Sequence, residues 1–156
     1  MEKTHRYKTS VEWTGNTGTG TSGYRSYTRS HTILAGDKKP IEGSSDPSFL
    51  GDSKKYSPED LFVASVSSCH MLWYLHLCSD AGIVVTSYLD EASGTMIETN
   101  NGGGRFTEIT LHPNVTVAEQ SMVANAKSLH ARANELCFIA NSCNFPIHHQ
   151  PLISVK

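Results

Sequence analysis

The chain has 156 residues, 38% of them hydrophobic and 18% charged, which suits one globular domain with its own core. A formal net charge of -2, a pI near 6.4 and no block of like charge exclude the basic footprint of a nucleic-acid or anionic-membrane binder. No stretch reaches the ~18 apolar residues of a membrane span, and the polar start MEKTHRYKTSVEW carries no apolar signal core, so a cytoplasmic location without membrane contact is expected.

Residues 5–16 (HRYKTSVEWTGN) and 24–34 (YRSYTRSHTIL) read as strands joined by the glycine-rich turn 17–23 (TGTGTSG), a hairpin with a long tip. Alternation along the second strand puts Arg25, Tyr27, Arg29 and His31 on one face. Two arginines keep that face wet, so it lines solvent or a polar pocket. Residues 35–57 hold Gly36, Pro40, Gly43, Pro47 and Gly51 and form a long connection with one short strand near Ile41.

The clearest helix follows. Ser57-Pro58-Glu59-Asp60 supplies an N-cap serine, a proline at the first helical position and an acid three residues after the cap. The run LFVASVSSCHMLWYLHLCSDAG continues to Gly82, a natural stop. It is apolar almost all round, the mark of a helix buried centrally. Residues 83–97 and 105–117 read as strands of a meander around the NNGGG turn at 100–104. A second helix is predicted over 118–140, with Met122, Ala126, Leu129, Ala133, Leu136 and Cys137 at steps of three and four. The tail ends in a strand at 151–155. The order is β-β-α-β-β-α-β, an α+β fold in a single domain, residues 1–156, with no repeat and no linker.

Four cysteines are present: Cys69, Cys78, Cys137 and Cys143. In a reducing cytosol they are not structural staples; they are either buried small hydrophobes or a redox pair. Cys69 has small neighbours, Ala64, Ser65, Ser67 and Ser68, which let a substrate approach the sulfur. Cys137 lies near the end of the second helix, and packing of the two apolar helices would bring it towards Cys69, with Cys143 open as another partner. Cys78 points to a different face and reads as core. A reactive thiol must lose its proton at working pH. An arginine favours this, and Arg29 and Arg25 are the candidates. Glu59 favours the positive helix end, or grips an arginine in a bidentate pair and aims it at the sulfur. His70 and His76 share the helix with Cys69, but no CxxC or HExxH spacing supports a metal site. His148-His149 reads as a polar loop, and TGTGTSG lacks the features of a phosphate loop.

The run SPEDLFVASVSSCHMLWYLHL resembles the NPEELxxAAxxxC signature of the OsmC/Ohr family, and HARANELCFIANS resembles its second-helix segment with the second cysteine. The glutamate stands ten residues before the first cysteine, as in Ohr-type members. The resemblance, closest to the OsmC-like branch, implies an intertwined homodimer with sheets wrapped around two long central helices. It implies a thiol-dependent peroxidase without cofactor or metal. Cys69 would attack an organic hydroperoxide, or hydrogen peroxide, and become a sulfenic acid. Cys137 would resolve it to a disulfide, and a dithiol, in the Ohr branch a lipoylated protein, would reduce that. Glu59 would orient the activating arginine, Arg29 first and Arg25 second. Three features depart from the pattern: Leu50 stands near the OsmC-branch arginine position, CFIANS lacks a proline after the cysteine, and Cys143 is extra. The alternatives are a redox-sensing or apolar-ligand-binding homodimer of the same fold and, further off, a histidine metal hydrolase.

Overall fold

The computed structural model describes residues 3–156. It divides into two compact units, one ending at Leu61 and one beginning at Phe62.

The first unit carries an antiparallel sheet of β1 (Ser10–Trp13), β2 (His31–Leu34) and β3 (Ile41–Gly43), in that order, with Trp13 opposite His31 and His31 opposite Gly43. Both predicted hairpin strands are therefore much shorter than read. The long tip closes on itself instead. Asn16 Oδ1 accepts from the backbone N–H of Gly18 and Gly20, at 2.9 and 3.1 Å. Gly18 and Gly20 take φ values of 115° and 57° that only glycine adopts freely. An isolated bridge joins Asn16 to Tyr27, and residues 24–30 form no continuous strand, so Arg25, Tyr27, Arg29 and His31 do not share a strand face.

The central helix, α1 (Pro58–Asp80), starts where the sequence says it should. Ser57 Oγ accepts from the Asp60 N–H at 3.1 Å, and the Asp60 carboxylate accepts from the Ser57 N–H at 2.9 Å, a reciprocal capping box. The stop is equally local. Gly82 has φ 70°, its N–H donates to Ser79 O at 3.1 Å, and the Ile83 N–H donates to Cys78 O at 2.9 Å. That is a Schellman cap with Ile83 and Cys78 in one apolar cluster.

Six further strands follow α1: β4 (Val85–Asp90), β5 (Ser93–Glu98), β6 (Gly104–Leu111), β7 (Pro113–Val117), β8 (Ile147–His149) and β9 (Leu152–Val155). Each of the two predicted meander strands is split in two. The break falls at Glu91–Ala92 on one and at His112 on the other, and the halves enter different sheets, ordered β4-β7-β9 and β5-β6-β8. Asp90 stabilises the crossing: one carboxylate oxygen accepts from the His112 N–H at 2.7 Å, the other from Ser67 Oγ on α1 at 2.5 Å. The chain returns through α2 (Val123–Leu136), shorter at both ends than predicted because single 3-10 turns flank it at Gln120–Met122 and Ala140–Ser142. Strands β8 and β9 pair in parallel with β6 and β7. The residues read as a polar loop at His148-His149 thus lie in strand β8.

The two sheets create two cores along one helix. Phe62, Val63 and Val66 of α1 pack with Phe106, Ile109 and Leu111 of β6. Tyr74 and Cys78 pack with Val115 and Val117 of β7 and with Ala126 and Ala133 of α2. The buried positions of α1 are Val66, His70, Tyr74 and Cys78, one stripe at steps of four. The helix is apolar on its other faces too, yet Leu72 is 63% exposed. By length and composition α1 is in fact long and apolar enough to cross a membrane. The count of apolar runs missed this because serines and histidines interrupt the sequence without making it polar on average.

Candidate active site

Three turns into α1, Cys69 is half-buried, beside a residue that faces the core, His70. Its serine neighbours are occupied elsewhere: Ser65 Oγ donates to Phe62 O at 2.7 Å, Ser68 Oγ to Ser65 O at 3.2 Å, and Ser67 to Asp90. The small side chains thus leave the sulfur uncrowded without hydrogen-bonding to it.

Cys137 meets Cys69 from the end of α2. It is the C-cap of that helix, with extended backbone at φ -66° and ψ 108°, so its side chain leaves the helical track. The side chain is wholly buried. The two thiols lie beside each other. The Cys137 pKa is pushed up to about 12, first by burial and next by the neighbouring Cys69 thiol, against the opposing backbone N–H of Ala140. The Ala140 N–H lies 3.4 Å from the Cys137 sulfur. Trp73, one turn after Cys69, packs edge-on against Phe138 with ring centroids 5.6 Å apart. All four cysteines are free.

The other two thiols lie apart from this pair in role. Cys78 is buried in the cluster of Tyr74, and burial raises its pKa, as befits the core position read from the sequence. Cys143 donates to Ile139 O at 3.3 Å and packs with the Val66 cluster, its pKa also raised by burial.

Glu59 sits half-buried in the first turn of α1. Arg29, in the first unit, is held by its own segment. Its guanidinium donates to Tyr27 O and Tyr24 O, each at 2.7 Å, and lies 4.4 and 4.3 Å from the centroids of the Tyr27 and Tyr24 rings. That is a cation–π clasp with two carbonyl anchors. Arg25 is exposed.

The sequence reading overlooked a buried histidine group. His70 Nε2 and His130 Nδ1 are 2.9 Å apart. With ring centroids 5.3 Å apart and planes 8° apart, the imidazoles lie end to end and nearly coplanar. His149 stands 5.8 and 6.2 Å from them, and Tyr74 stacks on His130 at 3.9 Å. Burial lowers all three pKa values, to about 4 for His70 and about 3 for His130. His76, weighed as a partner of His70, instead pairs with Asp80 at 3.5 Å on the surface. One signal was available: Ala126, His130, Ala133 and Cys137 recur at helical spacing, which puts His130 on the apolar stripe. Among the described residues, no group of three or more His, Cys, Asp or Glu side chains is arranged to hold a metal ion. A cavity of about 540 Å³ opens beside β6 and β8, lined by Glu108, Thr110, Ile147, His148, His149 and Gln150, and none of the thiols borders it.

A family model described as OsmC-like protein matches residues 51–150, the span that carries both cysteines. Among solved structures, the chain is similar to an OsmC-like protein of unknown function from Vibrio cholerae, with 28% identity, a TM-score of 0.86, and coverage of 96% of this chain and 100% of that one. It is also similar in fold to an organic hydroperoxide resistance protein from Elizabethkingia anophelis, at 18% identity and TM-score 0.70, each chain covered in full. A third is the organic hydroperoxide resistance protein OsmC from Legionella pneumophila, at 17% identity and TM-score 0.70, covering 99% of this chain and 100% of that one. No curated protein matches the chain.

Proposed function

The chain belongs to the OsmC-like protein family, and on that premise we propose that it is a thiol-dependent peroxidase that reduces organic hydroperoxides in the cytoplasm. The observation that carries this reading is the juxtaposition of Cys69 and Cys137, residues 68 positions apart in the chain. The names of the Elizabethkingia and Legionella relatives support the substrate class.

The environments of the two sulfurs divide the labour. Cys137 is fully buried and keeps its proton at neutral pH, so it cannot be the first attacker. Cys69 is half-exposed and can meet a peroxide. Its thiolate attacks the outer oxygen, the O–O bond breaks, and the alkoxide leaves and takes a proton from solvent. Alignment of sulfur and both oxygens supplies part of the barrier reduction. The Cys137 thiol then attacks the Cys69 sulfenic sulfur; the S–S bond forms, and the hydroxyl leaves with the thiol proton as water. An external dithiol returns both sulfurs to thiols, and a lipoylated protein fits that role. Arg29, oriented by Glu59, is proposed to stabilise the thiolate and the departing alkoxide. The homodimer is supported by α1, which is apolar almost all round yet in one chain leaves Leu72 exposed and Trp73, Leu75 and Leu77 only partly buried.

The test is consumption of cumene hydroperoxide and hydrogen peroxide, with dithiothreitol or dihydrolipoamide as reductant. Cys69→Ser is expected to abolish turnover with the fold intact. Cys137→Ser is expected to leave Cys69 as a trappable sulfenic acid and to form no intramolecular disulfide. Wild-type turnover in Cys69→Ser would end the proposal. One observation favours a second reading, a redox-sensing or ligand-binding homodimer: the Arg29 guanidinium is already engaged by Tyr24 and Tyr27. That reading predicts oxidation of Cys69 once, without sustained turnover.

A further inference from the structure

We propose that the buried His70–His130 hydrogen bond is a positioning device that sets α2 against α1 so that Cys137 reaches Cys69, making the histidines determinants of disulfide formation. The inference deepens the peroxidase reading and takes its thiol pair as premise.

The placement of the residues carries it. Cys69 and His70 are adjacent on α1, about 100° apart around the helix and ~1.5 Å apart along it. Their partners on α2, Cys137 and His130, stand seven residues apart, about two turns or ~10 Å. Two points on α2 therefore grip two flanks of α1, and the imidazole bond fixes one of them. A slip of α1 by one residue would turn Cys69 through about 100°. No disulfide survives that, since its Cα atoms must lie within roughly 7 Å.

The chemistry of the pair suits a register lock better than a store of stability. Both rings are 0% exposed. Each has one bonded nitrogen, and the others, His70 Nδ1 and His130 Nε2, have no hydrogen-bond partner among the described residues. Two orphaned buried nitrogens are costly, and two apolar side chains of similar size would fill the space at less expense. A directional bond between neutral rings supplies what apolar packing does not, a single preferred length and angle. Its neighbours are Tyr74 on one face of His130, the His149 ring at 5.8 and 6.2 Å from the two imidazoles, and Ala126 and Ala133 in the Tyr74 cluster. No other hydrogen bond between α1 and α2 side chains accompanies it among the described residues.

The experiment reads the equilibrium constant of the Cys69–Cys137 disulfide in mixtures of oxidised and reduced dithiothreitol, by alkylation and mass spectrometry of the full chain. This readout needs no peroxide chemistry. His70→Leu removes the bond; His70→Gln keeps a donor or acceptor near the Nε2 position. The expected result is a fall of about ten-fold or more in the constant for His70→Leu, with His70→Gln within about three-fold of wild type. Should His70→Leu fail to fold by near-ultraviolet circular dichroism, His70→Leu/His130→Leu, which orphans no ring, carries the same expectation. A wild-type constant in the folded leucine variant, or a His70→Gln constant as low as that of His70→Leu, would overturn the proposal. Absence of peroxide turnover in the wild-type protein would end the peroxidase reading alone, because the disulfide constant still reports whether the histidines position the thiols.

Discussion

Acidification is expected to destabilise this protein well before its carboxylates titrate, through His70 and His130. In the folded chain their pKa values lie at about 4 and about 3, against 6.5 for a free imidazole, because burial penalises the charged ring. Both rings are therefore neutral in the fold at every pH above about 5. The unfolded chain takes up a proton at each as pH falls below 6.5, so it binds more protons than the folded chain and stability falls with pH. The loss begins near pH 6.5 and continues towards the folded values near 4 and 3. Between pH 7 and pH 5 each histidine loses almost 2 kcal/mol, and the two together about 4 kcal/mol. That is a large share of a typical folding free energy of roughly 5–15 kcal/mol. His149 adds to the effect in the same direction, since burial and the neighbouring His148 lower its pKa as well. The assay is urea unfolding at fixed protein concentration from pH 7 to pH 5, on wild type and on His70→Leu/His130→Leu. The wild type should lose several kcal/mol, and the double variant should keep only the smaller dependence due to His149. An unfolding free energy flat across this range in the wild type would refute neutral, desolvated imidazoles in the core.

Two further substitutions test local structure around the candidate site. Ser57→Ala removes the hydroxyl that accepts from the Asp60 N–H and donates to its carboxylate; chemical unfolding should show a loss of about 1 kcal/mol. Gly94→Ala places a methyl 2.8 Å from Phe106 Cε1 and 2.9 Å from Val63 Cγ2, where α1 rests on β5 and β6. Overpacking there should cost about 1–3 kcal/mol in the same assay, and unchanged stability would mean that the two side chains yield freely.

The elements that depend on near neighbours were legible in the sequence. The cap at Ser57-Pro58-Glu59-Asp60 and the stop at Gly82 are settled by hydrogen bonds within a few residues, and both stand where the residues place them. The two separated motifs around Cys69 and Cys137 likewise pointed to the family and its α+β fold. The strand ends were not legible, because the breaks after Asp90 and at His112 rest on a carboxylate that joins β4, the start of β7 and α1. Alternation alone cannot report such a junction. The same holds for the segment 24–30, where glycine conformations and the Arg29 clasp outweigh strand propensity.

The sequence by itself determined where the central helix begins, at its Ser57 cap, and where it ends, at Gly82. Local backbone geometry and residue type decide these, and both are written residue by residue. Only the tertiary structure decided that Cys137 reaches Cys69, that His130 and His149 turn inward to His70, and that one stripe of α1 is covered. Those outcomes depend on how elements far apart in the chain pack, and an imidazole on an apolar stripe shows its partner only when the facing helix is in place.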